Sequence, residues 1–386
     1  MTADVSFHPS GSRQPRSGLT TGTCAAAATA AACEVLLDHR EVDVVRLTLP
    51  GGAEIQVSIA SIRHDEQAVT CGVQKDAGDD PDVTHGLLIE ATVRRNGSDF
   101  KLLAGEGVGI VTKPGLACAV GEPAINPVPR QMILEQARLA CEKFNYTGGL
   151  DVTISIPGGE MVALKTFNPR LGIQGGLSIL GTTGIVEPMS EKALINTIHV
   201  MVNQAQVFDP DTILLTPGNY GRDFCRMQLG LDVDGGVKIS NFVGETLDYL
   251  VEKGLRRALL VGHLGKLVKV AGGIMNTHSR VADARMEILA AHAAAAGADQ
   301  SLVRSLLACT TTQEALQWLS QGNWVETVLQ SIADRVKMQC ELRSHQALTV
   351  EVIVFLVEDS VMAQTAGAKD LIQYLCNRQS AQKMAD

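Results

Sequence analysis

At 386 residues with a net charge of −9, the chain is too long for one ordinary core and too acidic for a protein whose main task is non-specific nucleic-acid binding. Hydrophobic residues at 45% and charged residues at 19% exclude a disordered chain, and aromatics at 4% argue against a base-stacking surface. No apolar run reaches the roughly 18 residues of a membrane span, and residues 1–16 are polar with no apolar signal core, so the expectation is a soluble cytoplasmic protein.

Nine cysteines, odd in number and without a Cys-x-x-Cys pair, exclude a disulfide framework and a Cys-rich zinc or iron–sulfur site. Most lie in apolar surroundings and read as small buried hydrophobes. Glycine is in excess, at 37 residues, which points to clusters where the backbone itself must approach something closely.

Along the chain, residues 1–17 read as a mobile tail. A helix follows over 24–37, rich in alanine and capped by Thr21 or Thr23. Its small side chains on every face predict close packing on all sides. Residues 42–49 and 54–59 form a predicted hairpin through Pro50-Gly51-Gly52, and 68–73 and 86–93 are further short strands. A helix over 130–144 follows Pro127 and Pro129. The region 18–150 therefore reads as an α+β domain.

From residue 151 the rhythm changes. Residues 151–156 and 161–167 read as a strand pair about Pro157-Gly158-Gly159. Three apolar runs, 177–180, 212–215 and 258–261, each end in a glycine loop before a helical pattern, and 350–357 is a fourth buried strand followed by a helix over 368–378. Long helices are expected over 281–296 and 323–342. Strand, glycine turn and helix in repetition predict a Rossmann-like α/β domain over 151–386, with a mainly parallel sheet and helices on both faces.

Chemistry is expected in four places. The glycine loops would lie at the carboxyl ends of parallel strands, where such sheets place a nucleotide or nucleoside. Their candidate residues are Gly181, Thr182, Thr183 and Gly184; Gly218, Asn219 and Gly221; and Gly262, His263 and Gly265. None is a clean G-x-G-x-x-G, each also serves to turn a chain, and there is no Walker phosphate loop. The second place is the stretch from Lys75 to His85, with Asp76, Asp79, Asp80 and Asp82, which reads either as a solvated turn or as an acceptor-rich wall for a cation. The third is Thr21, Gly22, Thr23 and Cys24 at a helix start, an anion-binding N-terminus in which the dipole would favour a Cys24 thiolate. The fourth is Gly272 to Arg280, where Ser279 would cap a helix carrying Arg280, Asp283 and Glu287 on one face, and where His278 and Arg280 would meet a carboxylate or form a surface ion pair.

These segments resemble the CbiD family, the cobalt-precorrin-5B C(1)-methyltransferases of oxygen-independent cobalamin biosynthesis. The likeness is carried by Thr20-Thr21-Gly22-Thr23-Cys24 with the alanines after it, by the Lys75 to Gly86 stretch, by Gly121-Glu122-Pro123-Ala124-Ile125-Asn126-Pro127-Val128-Pro129-Arg130, and by Gly272 to Arg280. It runs from about Gly18 to Leu375. Leu19 departs from it, where an aromatic is expected, and would alter only the packing beneath that loop.

The resemblance implies S-adenosylmethionine as methyl donor and co-substrate. It implies a corrinoid precursor as acceptor, methylated at C-1 to give cobalt-precorrin-6A, with cobalt present only within that substrate. It supplies no catalytic residue. Displacement at a sulfonium methyl needs alignment and desolvation more than a strong base. Because the substrate carries several carboxylates and the chain is net acidic, local cations must receive them, and Arg130, Arg170, Arg222, Lys266 and Arg280 are the candidates. The expected partners are the corrinoid, further copies of the chain and neighbouring pathway enzymes, with neither nucleic acid nor membrane. A cleft between the domains would bring the four motifs together. Two rival readings are a cysteine-dependent acyl-transferring enzyme using Cys24 and a non-enzymatic tetrapyrrole carrier.

Overall fold

The structure, a computed structural model, describes residues 15–97, 99–231, 235–356 and 360–383, with side chains to residue 380. Most of the expected tail, residues 1–14, lies outside the described residues, as does the end of the predicted 350–357 strand. The protein is a mixed α/β chain of two compact units, Met1–Ser190 and Glu191–Asp386.

The first unit runs β1 (Gly18–Leu19), α1 (Thr21–Asp38), β2 (Val44–Thr48), β3 (Glu54–Ser58), β4 (Ser61–Asp65), β5 (Ala68–Gln74), β6 (Leu88–Asn96), β7 (Lys101–Ala104), β8 (Ile110–Val111), α2 (Pro127–Lys143), β9 (Gly149–Ser155), α3 (Gly159–Ala163), β10 (Ile173–Gln174) and β11 (Ile185–Val186). Its main sheet has the order β4-β5-β6-β9-β7, antiparallel except for the β7–β9 pair. Alternate residues of three strands (Val69, Cys71 and Val73; Ile89, Ala91 and Val93; Leu150, Val152 and Ile154) are buried in one core. This is the one-face-in pattern of an antiparallel sheet covered on one side. The cover is α1, which packs on β5 and β6 and also against α2. Every residue of α1 from position 21 to 33 is buried. Alanine makes that possible, because a small side chain lets sheet and helix approach from different sides. The buried Thr29 hydroxyl is satisfied by donating to the Ala25 carbonyl at 2.8 Å.

The second unit runs α4 (Glu191–Phe208), β12 (Thr212–Thr216), α5 (Asn219–Gln228), β13 (Val237–Lys238), α6 (Val243–Glu252), β14 (Arg257–His263), α7 (Leu264–Ala271), α8 (Arg285–Ala296), α9 (Gln300–Ala308), α10 (Thr312–Gln321), α11 (Val325–Arg343), β15 (Thr349–Phe355), β16 (Val361–Gln364) and α12 (Ala368–Lys383). Its sheet has the order β13-β12-β14-β15-β16, parallel throughout except for the edge strand β16. The strands bury both faces. Ile213, Leu215, Ala258, Leu260, Val350, Val352 and Val354 join one core with residues of α4, α6, α7 and α11. Leu214, Leu259, Val261, Ile353 and Phe355 join a second core with Phe224, Leu371 and Leu375 of α5 and α12. Near-continuous apolar strands are what a sheet covered on both sides requires.

Four expectations are corrected. The boundary falls after Ser190 rather than near 150, because β9 pairs with β6 and β7 of the first unit. Residues 161–167 are not a strand: Gly158, at φ 74°, turns the chain into α3, whose first turn carries Glu160. The run 177–180 does not belong to the parallel sheet and makes only isolated bridges, Val108 to Leu177 and Ile125 to Ile179, in the first unit. The helix expected from 281 begins at Arg285 with Ala284 at its cap position, so Ser279 caps nothing and Asp283 pairs with Arg285.

Candidate functional site

In the first unit the family-like motifs meet around the start of α1. Thr20 is the N-cap, its hydroxyl accepting from the Thr23 N–H at 3.1 Å. The Gly22 N–H donates to the Leu180 carbonyl at 2.9 Å, the Thr23 hydroxyl donates to the Gly184 carbonyl at 2.7 Å, and the Thr21 hydroxyl accepts from the Leu180 N–H at 2.8 Å. A Cβ on Gly22 would come within 2.7 Å of Pro129 Cγ, and one on Gly181, at φ 138°, within 2.2 Å of Thr20 Oγ1. The first glycine loop thus closes the end of α1, and the N–H groups of Gly22 and Thr23 serve the chain itself rather than an anion. Thr182 and Thr183 are exposed, with the Thr183 hydroxyl donating to the Ile185 carbonyl at 3.1 Å.

The acidic stretch is organised by the chain's own donors. Lys75, 2% exposed, pairs with Asp82 at 2.6 Å, and Asp82 also accepts from the Thr84 N–H at 2.8 Å and hydroxyl at 2.6 Å. Burial alone would raise the Asp82 pKa, but the Lys75 and Thr84 donors outweigh it and hold the carboxyl below its ordinary value. Asp76 pairs with Arg16 and accepts from the Gly78 N–H, and these donors hold it at about 2. Asp79 accepts from the Arg16 N–H at 2.6 Å and Asp80 from the Met189 N–H at 2.8 Å. His85 accepts from the Ala77 N–H through Nδ1 at 3.1 Å. Residues 16 and 17 of the expected mobile tail are therefore fastened to this loop. Sequence reasoning placed Lys75 at the head of the acidic stretch but did not pair it with Asp82, its one signal being a lysine directly preceding the acids.

Cys24 is fully buried, and burial pushes its thiol up to about 12 despite the helix start. Desolvation of the thiolate wins over the dipole, so the expected thiolate does not form. Cys24→Ala is expected to keep near-normal turnover; a complete loss of activity in a folded variant would restore the cysteine nucleophile. Arg130 lies on α2 and pairs with Glu122 at 3.4 Å.

In the second unit two glycine loops do lie at the carboxyl ends of adjacent parallel strands, β12 and β14. Gly218, at φ 131°, precedes α5, and an added Cβ there would meet only Lys266 Nζ at 3.7 Å. Lys266 donates to the Ser240 carbonyl at 3.2 Å, and Lys238 to Asn219 Oδ1 at 2.6 Å. Burial, then the neighbouring Lys238 and Lys269, push the Lys266 pKa down. Among the described residues no carboxylate pairs with Lys266, so its ammonium is a charge that an anionic group would neutralise. His263 caps α7, its Nδ1 accepting from the Gly265 N–H at 3.0 Å, and burial holds it below the usual imidazole value. Gly262 and Gly221 are packing glycines, with an added Cβ 2.8 Å from Leu267 Cγ and 3.0 Å from the Val261 carbonyl respectively. The segment before α8 is anchored by the buried Lys269, which donates to the Thr277 and Ala282 carbonyls at 3.3 and 2.9 Å. His278 and Arg280 are exposed there, joined by the Arg280 N–H donating to His278 Nδ1 at 3.1 Å. Among the described residues no helix is long and apolar enough to cross a membrane.

A mainly antiparallel sheet covered by a buried alanine helix, and a mainly parallel sheet with helices on both faces, define a two-unit α/β protein. The CbiD family model matches residues 8–188 and the model of the CbiD C-terminal domain residues 276–366. A protein of Ruminiclostridium cellulolyticum named cobalt-precorrin-5B C(1)-methyltransferase is 48% identical over 93% of this chain and 95% of its own length. One of Alkaliphilus metalliredigens with the same name is 45% identical over 93% and 95%. The crystal structure of the cobalamin biosynthesis protein CbiD from Archaeoglobus fulgidus matches at 30% identity with a TM-score of 0.39, over 71% of this chain and 84% of that one. The chain belongs to the CbiD family.

Proposed function

We propose that this chain transfers a methyl group from S-adenosylmethionine to C-1 of cobalt-precorrin-5B, with cobalt entering as part of the substrate. The observation that carries this reading is the 48% identity, over nearly the whole chain, to a relative named for that reaction. The second unit serves as a Rossmann-like donor domain in this reading. Its strand ends suit the carboxylate of the donor's amino-acid portion: Gly218 leaves the backbone open to close approach, and the first turn of α5 and the Lys266 ammonium present donors to an anion. The donor supplies a methyl group on a sulfonium, and the macrocycle supplies the attacking carbon. What the protein contributes is alignment and exclusion of water, so no side chain is required as a strong base. His278 and Arg280, and on the first unit Arg130 and the Asp79 and His85 side chains, remain candidates for contact with the corrinoid.

Incubation with the cobalt-precorrin and isotope-labelled donor tests the activity: the label is expected at C-1. Corrinoid binding with no donor binding would instead favour a carrier. Lys266→Gln is expected to weaken donor binding by roughly 10–100-fold, the worth of about 1.5–3 kcal/mol for a hydrogen bond to a charged group. Because the Lys266 pKa is depressed, donor affinity in the unaltered protein should fall as pH rises through that lowered value, below the range of an ordinary lysine. Calorimetric titration at several pH values measures both, and a flat profile with unchanged affinity in the variant would remove Lys266 from the donor site.

A further inference from the structure

A cleft of 360 Å³ opens in the first unit between α3 and the chain from Pro169 to Gly176. Met161, Leu164, Pro169 and Ile173 give it apolar walls, and the backbone of Gly175 and Gly176 completes them. Met161 is 70% and Leu164 68% exposed. Single exposed apolar side chains are ordinary, but one on a five-residue helix and another at its C-cap, at the mouth of a cleft, mark a place where something apolar is received.

Three cations neighbour the lining residues. Lys165 follows Leu164 and Arg170 follows Pro169 in the chain, and the stem of Lys113 packs along Gly172, where an added Cβ would lie 2.5 Å from its Cγ. All three side chains are exposed, and among the described residues none has a hydrogen-bond or ion-pair partner for its charged head. Glu160 is the one acid in the lining. The wall is held in place by Asn168, 8% exposed, whose Nδ2 donates to the Gly176 carbonyl at 3.2 Å.

We propose that this cleft seats one edge of the corrinoid, with the macrocycle against Met161, Leu164 and Ile173 and its acetate and propionate carboxylates paired with Lys113, Lys165 and Arg170. The proposal rests on the methyltransferase reading for the identity of the ligand. The volume lies within the roughly 300–1,000 Å³ of small-molecule sites, at the low end, which suits an edge rather than a whole macrocycle. A flat apolar body ringed by carboxylates is the complement of an apolar floor ringed by cations, and Arg170 has the fork that binds a carboxylate through two bonds. A chain of net charge −9 repels a polyanion at long range, so a local group of unpaired cations is needed to receive it. The chain that lines the cleft continues through the buried residues 177–179 into the Gly181 loop, which closes the start of α1.

The test uses the full chain and cobyrinic acid, a stable cobalt corrin with free carboxylates, together with its fully esterified form. Visible-absorbance titration is expected to show at least tenfold weaker binding of cobyrinic acid by Leu164→Asp and by the pair Lys165→Glu and Arg170→Glu. Both changes fall on exposed side chains, so folding is retained. The ester should bind the unaltered protein more weakly and lose affinity in Leu164→Asp but not in the charge-reversed pair. Met227→Asp, exposed on α5, should bind both like the unaltered protein. Unchanged affinity for cobyrinic acid in both cleft variants overturns the site, and so does failure of the unaltered protein to bind it. The methyl-transfer assay reads the function separately. Label transfer that persists in cleft variants with unchanged binding leaves the reaction standing without this site. Cleft-dependent corrin binding with no label transfer overturns the reaction and keeps the site.

Discussion

Asp82→Ala should be among the most destabilising single changes in the first unit, costing about 3–5 kcal/mol, because it strands a buried ammonium. Lys75 is 2% exposed and Asp82 is its ion-pair partner at 2.6 Å. Lys75→Met should cost less, about 1.5–3 kcal/mol, since the partly exposed carboxylate keeps its Thr84 donors when the lysine is gone. The same pair sets a pH dependence. The folded Asp82 pKa is depressed, so its contribution is fully present above the unfolded carboxylate value of about 4 and disappears as pH falls through the lower folded value. Hydrogen exchange of the α1 and β6 amides measures these costs. Equal protection in Asp82→Ala and the unaltered protein would mean that the lysine finds another partner.

Gly181→Val should be the next most disruptive. The backbone at φ 138° disfavours any Cβ, and that atom would sit 2.2 Å from Thr20 Oγ1, the hydroxyl that caps α1. Strain of about 1–3 kcal/mol adds to a cap worth about 1 kcal/mol. The variant is therefore expected to lose stability whether or not donor is present, with loss of protection concentrated in the first turn of α1. By contrast Gly218→Ala meets no neighbour closer than Lys266 Nζ at 3.7 Å, so there the donor titration, not the melting curve, should report the change. A thermal scan beside a donor titration separates the two. A fully stable Gly181→Val with donor affinity lost would return this loop to the donor site.

These contrasts mark what was legible in the chain. The β2–β3 hairpin, β5, β6, α2 and the parallel strands β12, β14 and β15 follow from local apolar runs bounded by turn residues, and they stand where the pattern put them. The run 177–180 has the same local signature, yet it pairs through isolated bridges in the other unit. Which sheet an apolar run joins is decided by distant partners, and those leave no mark on the run itself. The 161–167 segment differs from its pattern for a related reason: its apolar residues suggest a strand, whereas Gly158 turns the chain into a short helix, and Met161 and Leu164 stand in solvent. At the site, the motif residues Thr21, Gly22, Thr23 and Asp82 stood out by type. Their use, as caps and a buried pair within the chain, depends on Leu180, Gly184 and Lys75, which composition does not connect to them.

The cap on α1 bears on how the protein is made. The Thr23 hydroxyl is satisfied by Gly184, a separation of 161 positions, and the Thr21 hydroxyl by Leu180 at 159. The alanine helix leaves the ribosome about 160 residues ahead of the loop that completes its cap, since α2 and the 180–184 loop must both emerge before it is enclosed. Until then an apolar helix with no solvated face waits uncovered, in a unit whose decisive contacts are long in sequence and therefore slow to form. Nascent chains that end between α1 and the 180–184 loop should accordingly hold chaperones longer than nascent chains of helical bundles of equal length.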